Sequence, residues 1–121
     1  FCFGGSAVLE FARSGAEIAG VVSLHGGVDT YLPATNQRIR TPVLVLNGAG
    51  DADVTDAKIA AFKDEMDAAG ADWQFVDFGG AVHCFTQPES NSPPNCVYHE
   101  RAAKRAFAMM HAFFRERFAM R

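Results

Sequence analysis

Apolar residues recur at helical spacing from the start of the chain, at Ala7, Val8, Phe11 and Ala12, and Gly15 stands where a helix end needs a residue tolerant of positive φ. The spacing predicts a first helix over Phe3 to Ser14. Ile18 to Leu24 (IAGVVSL) is almost wholly apolar and rich in β-branched residues until His25, Gly26 and Gly27 interrupt it, so a strand buried on both faces is expected. Val28 to Thr41 reads as a polar loop closed by Pro42, and Val43 to Leu46 (VLVL) as a second all-apolar strand stopped by Asn47 and Gly48. Thr55 can cap a helix whose inner stripe is Ile59, Phe62, Met66 and Ala69, with Gly70 at its end. Trp73 to Phe78 forms a third strand, Cys84 to Asn95 an irregular loop, and Tyr98 to Phe118 a long helix. Ala103, Ala106, Phe107, Met110, Phe113, Phe114 and Phe118 are expected to be its core side.

Helices alternating with strands, two of them apolar throughout, indicate an α/β domain with a parallel sheet covered on both faces. At 121 residues and 49% hydrophobic, the chain is long enough to bury one core, and nothing in it marks an internal boundary, so residues 1–121 are read as one domain. A formal charge of −3, with the Lys and Arg residues scattered, leaves no basic face for nucleic acid. No apolar run approaches the ~20 residues of a membrane helix, and no basic segment precedes an apolar one, so neither a membrane nor secretion is expected. Cys2, Cys84 and Cys96 are too few and too irregularly spaced to suggest a disulfide framework. A reducing, cytoplasmic setting follows, with Cys84 read as a packing residue.

Ligands of open α/β sheets gather beyond the carboxyl ends of the strands. There the chain offers His25 and Asp29 after the first strand, Asp51 and Asp53 after the second, and His83 and Cys84 after the third. Cys2 stands at the head of the first helix, where the helix dipole would favour a thiolate. A helix-start nucleophile, then an acid, then a His is the chain order of the α/β-hydrolase triad. A thiol needs a base to take its proton, and the imidazole needs a carboxylate to fix its tautomer. Gly4 and Gly5 suit the tight strand-to-helix turn that presents such a nucleophile. Cys96, His99 and His111 are not spaced as a zinc set, so no metal site is expected.

The stretch FCFGG at the start resembles the dienelactone hydrolase family's Gly-x-Cys-x-Gly-Gly elbow from its second residue onward. LNGAGDADV (Leu46 to Val54) resembles that family's acid loop, and GGAVHCFT (Gly79 to Thr86) the stretch around its His. The resemblance runs the length of the chain. It implies the C-terminal half of an α/β-hydrolase fold, about three mostly parallel strands flanked by helices, cut at the nucleophile elbow and lacking the first half of the sheet. It assigns Cys2 as nucleophile, Asp51 as acid and His83 as base, with the Phe3 backbone N–H as an oxyanion donor. His25 and Gln87 are placed near the substrate. Gln87 stands where members acting on dienelactone carry an Arg, so an anionic dienelactone is not the expected substrate. The implied activity is hydrolysis of small esters or lactones through an acyl-enzyme, without a cofactor. The competing reading is an inactive remnant of the fold that self-associates. On either reading the apolar edge of the first strand is expected to be open, so a homodimer closed through that edge, or through the bare face of the first helix, is anticipated.

Overall fold

In a computed structural model, which describes residues 1–34 and 38–119, the chain forms α1 (Phe3–Arg13), β1 (Val21–Leu24), β2 (Val43–Gly48), α2 (Asp56–Ala68), β3 (Trp73–Phe78), β4 (Asn91–Ser92), β5 (Cys96–Val97) and α3 (Glu100–Ala119). The first three strands make a parallel sheet in the order β1-β2-β3, with Val21 opposite Val43 and Val43 opposite Trp73. All six residues of the central strand β2 are buried. Because side chains alternate along a strand, Val43 and Val45 face one layer and Leu44 and Leu46 the other. The valines meet Leu9 and Ala12 of α1 and Phe62 and Met66 of α2, whereas the leucines meet Ala102 and Ala106 of α3. The fold is therefore three-layered, with α1 and α2 on one face of the parallel sheet and α3 on the other.

Thr55 caps α2 by accepting from the Lys58 N–H at 3.3 Å, as its position before the apolar stripe leads one to expect. The first strand begins at Val21, not Ile18. The groups before it are held by side chains outside the ladder: the Ile18 N–H donates to Thr41 Oγ1 at 3.1 Å, and Arg117 Nε donates to the Ala19 carbonyl at 2.7 Å. The loop after Cys84 contains the small antiparallel pair β4–β5. The last helix starts at Glu100 and buries Ala102, Ala103 and Ala106. Phe107, Met110 and Phe113 are only partly covered, and Phe118 is exposed, so its aromatic stripe is core on one end only. The expected loop over 28–41 includes residues 35–37, which lie outside the described residues.

Arg13, one of the scattered basic residues, is buried. Its Nε donates to Glu65 Oε2 at 2.9 Å and its Nη2 to the Val28 carbonyl at 2.6 Å, while Glu65 Oε2 also accepts the Ala34 N–H at 2.8 Å. This network ties α1, α2 and the segment after β1 into one layer.

Candidate active site

The site is assembled where the strands end. Cys2, the residue before α1, has φ 47° and ψ −119°, a backbone conformation that side-chain-bearing residues rarely adopt. Its N–H donates to the Leu24 carbonyl at 3.0 Å, which seats the turn on the end of β1. Gly5 makes this approach possible, because any side chain there would strike the Ser23 hydroxyl and the Gly26 backbone. At Gly4 the same space is open, so of the two glycines only Gly5 is required for close approach.

Asp51 lies in the loop after β2. Its Oδ1 accepts the Asp53 N–H at 3.0 Å, leaving Oδ2 to pair with His83 Nδ1 at 2.9 Å. The Asp51 side chain is fully buried and His83 is 25% exposed, so the imidazole joins the covered carboxylate to the open side. Of the three carboxylates weighed from the sequence, Asp51 is the one whose hydrogen bond to His83 is observed. Asp29 faces Lys58 at 3.6 Å, and Asp53 faces Asn95 at 3.5 Å. Gly50 donates to the Ala81 carbonyl at 2.9 Å, which laces the acid loop to the segment carrying His83.

His25 is more central than its sequence position suggested. It is completely buried, its Nδ1 lies 3.3 Å from Cys2 Sγ, and its Nε2 lies 2.7 Å from Thr86 Oγ1. The rings of His25 and His83 meet edge to face at 5.4 Å. Ligand-type atoms of Cys2, His25 and His83 all fall within 4.8 Å of one another. Burial, and secondarily the neighbouring His83, lower the His25 pKa to about 4, so at neutral pH the ring is uncharged. Burial likewise pushes the Cys2 thiol above its ordinary value, with Asp51 adding to the rise and the amino terminus opposing it. A resting thiol, not the thiolate expected from the helix dipole, therefore occupies this position. The sulfur of Cys2 and the hydroxyl of Thr86 thus lie in hydrogen-bond contact with opposite nitrogens of an uncharged His25 ring. Thr86 was not singled out from the sequence, and no spacing signal pointed to it.

Phe3, as the first residue of α1, has an N–H that lacks an intrahelical acceptor. Gln87 sits in a turn in which its Oε1 accepts from Ser90 Oγ at 3.3 Å. Cys84 is not an unpaired packing residue but is disulfide-bonded to Cys96, twelve positions on, and has φ 65°. The Val97 N–H donates to the His83 carbonyl at 3.2 Å, so β5 and the disulfide brace the segment that carries His83. The pairing was missed because a single bridge leaves no repeated spacing, and it removes the ground on which a reducing compartment was expected. His99 caps α3, its Nδ1 accepting the Ala102 N–H at 3.1 Å.

A parallel sheet with a cysteine on a strained helix-start turn, and a buried carboxylate–histidine pair beyond its other strands, defines the α/β-hydrolase class. Within that class the chain belongs to the dienelactone hydrolase family, whose model matches residues 1–118. The uncharacterized protein K02A2.1 of Caenorhabditis elegans is 34% identical over 128 residues, covering 98% of this chain and 78% of that protein. The solved structure named m3DLH is 38% identical, with a TM-score of 0.87, over 96% of this chain and 49% of that one. A dienelactone hydrolase-like promiscuous phosphotriesterase from metagenomic libraries is 38% identical, with a TM-score of 0.86 and the same coverage. The chain thus spans about half the length of these two solved relatives. Among the described residues, no helix is long and apolar enough to cross a membrane.

Proposed function

We propose that this chain carries the nucleophile, base and acid of a hydrolase acting on small esters or lactones. The observation that supports the reading most is the Asp51–His83 bond of 2.9 Å with the Cys2 sulfur close to the same imidazole. Asp51 holds the Nδ1–H tautomer of His83, so Nε2 keeps its lone pair for the thiol proton. As that proton leaves, Cys2 Sγ attacks the carbonyl carbon, and the Phe3 N–H donates to the developing oxyanion. The tetrahedral intermediate collapses, the leaving alkoxide takes the proton from His83, and a thioester remains on Cys2. His83 then deprotonates water, which attacks the thioester and releases the acid and the thiol. His25, uncharged and anchored by Thr86, holds the resting sulfur in place. A homodimer is part of the same proposal.

Pre-steady-state kinetics with an activated aryl ester tests it, using wild type, Cys2→Ser, Asp51→Asn and Cys84→Ser. The expected result is a burst equal to the protein concentration that disappears in Cys2→Ser, persists in Cys84→Ser and slows at least about 10²-fold in Asp51→Asn. Absence of a burst in wild type would favour the inactive remnant. The similarity to a promiscuous phosphotriesterase makes an aryl phosphotriester the second probe.

A further inference from the structure

We propose that Cys2, His25 and His83 together form a binding site for a borderline-soft divalent metal ion, Zn²⁺ above all, and that occupancy masks the Cys2 sulfur. Acyl transfer calls for one imidazole beside the thiol. Here there are two, and the second, His25, is completely buried with its Nδ1 3.3 Å from the sulfur. One thiol and two imidazoles are the donor set that Zn²⁺ takes in three-ligand sites with an open fourth position.

The geometry is close to what such an ion requires. With bonds of about 2.3 Å to sulfur and about 2.0–2.1 Å to nitrogen, a tetrahedral Zn²⁺ holds its ligand atoms roughly 3.3–3.6 Å apart. The Cys2–His25 pair is already at 3.3 Å, and the His83 nitrogen is within 4.8 Å of both. Both rings also have the outer partners that orient metal-bound imidazoles: a carboxylate, Asp51, on His83, and a hydroxyl, Thr86, on His25. Charge balances as well, since Zn²⁺ on a thiolate leaves one positive charge, which the buried Asp51 carboxylate offsets. The partial exposure of His83 gives the ion a way in and places the fourth ligand, a water, toward solvent.

Binding is a ligand exchange with no change of oxidation state. Hydrated Zn²⁺ loses waters, the Cys2 thiol gives its proton to solvent, a Zn–S bond forms, and the two imidazoles donate their free lone pairs. While the bond lasts, the sulfur cannot attack a carbonyl. Sequence spacing hid this set, because its members come from three separated segments, whereas the cysteine and histidines compared by spacing were Cys96, His99 and His111.

The proposal does not depend on acyl transfer, because metal binding is read from the ultraviolet thiolate-to-metal charge-transfer band of bound Cd²⁺. Titration without reductant is expected to saturate at one Cd²⁺ per chain in wild type and His99→Ala, with Zn²⁺ displacing the Cd²⁺. The band is lost in Cys2→Ala and binding weakens at least tenfold in His25→Gln and His83→Gln. Thr86→Val and Asp51→Asn keep all three ligands and are expected to weaken binding about 10- to 100-fold, a check that survives if a histidine variant fails to fold. No band in wild type, or undiminished affinity in both histidine variants or in both Thr86→Val and Asp51→Asn, would overturn the site. A protein that turns over ester but binds no metal loses only this proposal, and one that binds metal without turnover loses only the hydrolase reading.

Discussion

His25 makes the stability of the molecule depend on pH. Its folded-state pKa, lowered to about 4, lies below the unfolded value of 6.5, so between these limits the unfolded chain binds the extra proton. Stability is then fully present above about pH 6.5 and falls as pH drops toward about 4, a loss of about 3 kcal/mol from this group. Urea melts across that window are expected to show the slope in wild type and its loss in His25→Gln. For Cys2, whose thiol is pushed up by burial, alkylation by iodoacetamide is expected to be slow at neutral pH. The rate should keep rising beyond the pH at which an ordinary thiol levels off. The meeting of Asp51 with His83 was legible in the sequence, because each follows a recognisable strand in hydrolase order. The place of His25 at the sulfur was not, because it depends on a hydroxyl 61 positions away, and nothing local to LHGG signals Thr86.

At the scale of elements, three packing devices hold the site in place. Gly5→Ala drives a methyl into Ser23 and Gly26, with an expected cost of about 1–3 kcal/mol, whereas Gly4→Ala points into open space and is expected to stabilise by up to about 1 kcal/mol. Removing either partner of the Arg13–Glu65 pair strands a buried charge, so Arg13→Ala or Glu65→Ala is expected to cost about 3–5 kcal/mol in denaturant melts. Opening the Cys84–Cys96 bridge, by reductant or by Cys96→Ser, is expected to cost about 3 kcal/mol and to lower kcat by loosening the segment that carries His83. The β3 boundaries and the Thr55 cap were readable because periodicity and capping are local. Arg13, the bridge and the β4–β5 pair were not, because each depends on residues brought together only by the sheet.

For the whole molecule, the question is what covers its apolar margins. Phe3 and Phe11 are 86% and 48% exposed and, with the exposed Ala7 between them, form a stripe along the outer side of α1, while β1 and β3 are the edges of the sheet. Sedimentation velocity at micromolar concentration is expected to show a dimer that Phe3→Ser with Phe11→Ser weakens, and a well-folded wild-type monomer would contradict that assembly. Parallel order and layering were legible because the apolar runs of β1 and β2 admit little but a sheet covered on both sides. The exposure of Phe3 and Phe11 leaves no such mark, since an exposed phenylalanine on a helix reads like a buried one. The chemistry itself is tested most directly by the mass of the intact protein mixed with an activated aryl ester, followed by peptide mapping. One acyl group per chain is expected, carried on Cys2 and absent from Cys2→Ser; no adduct, or an acyl group on any other residue, would show that Cys2 is not the nucleophile.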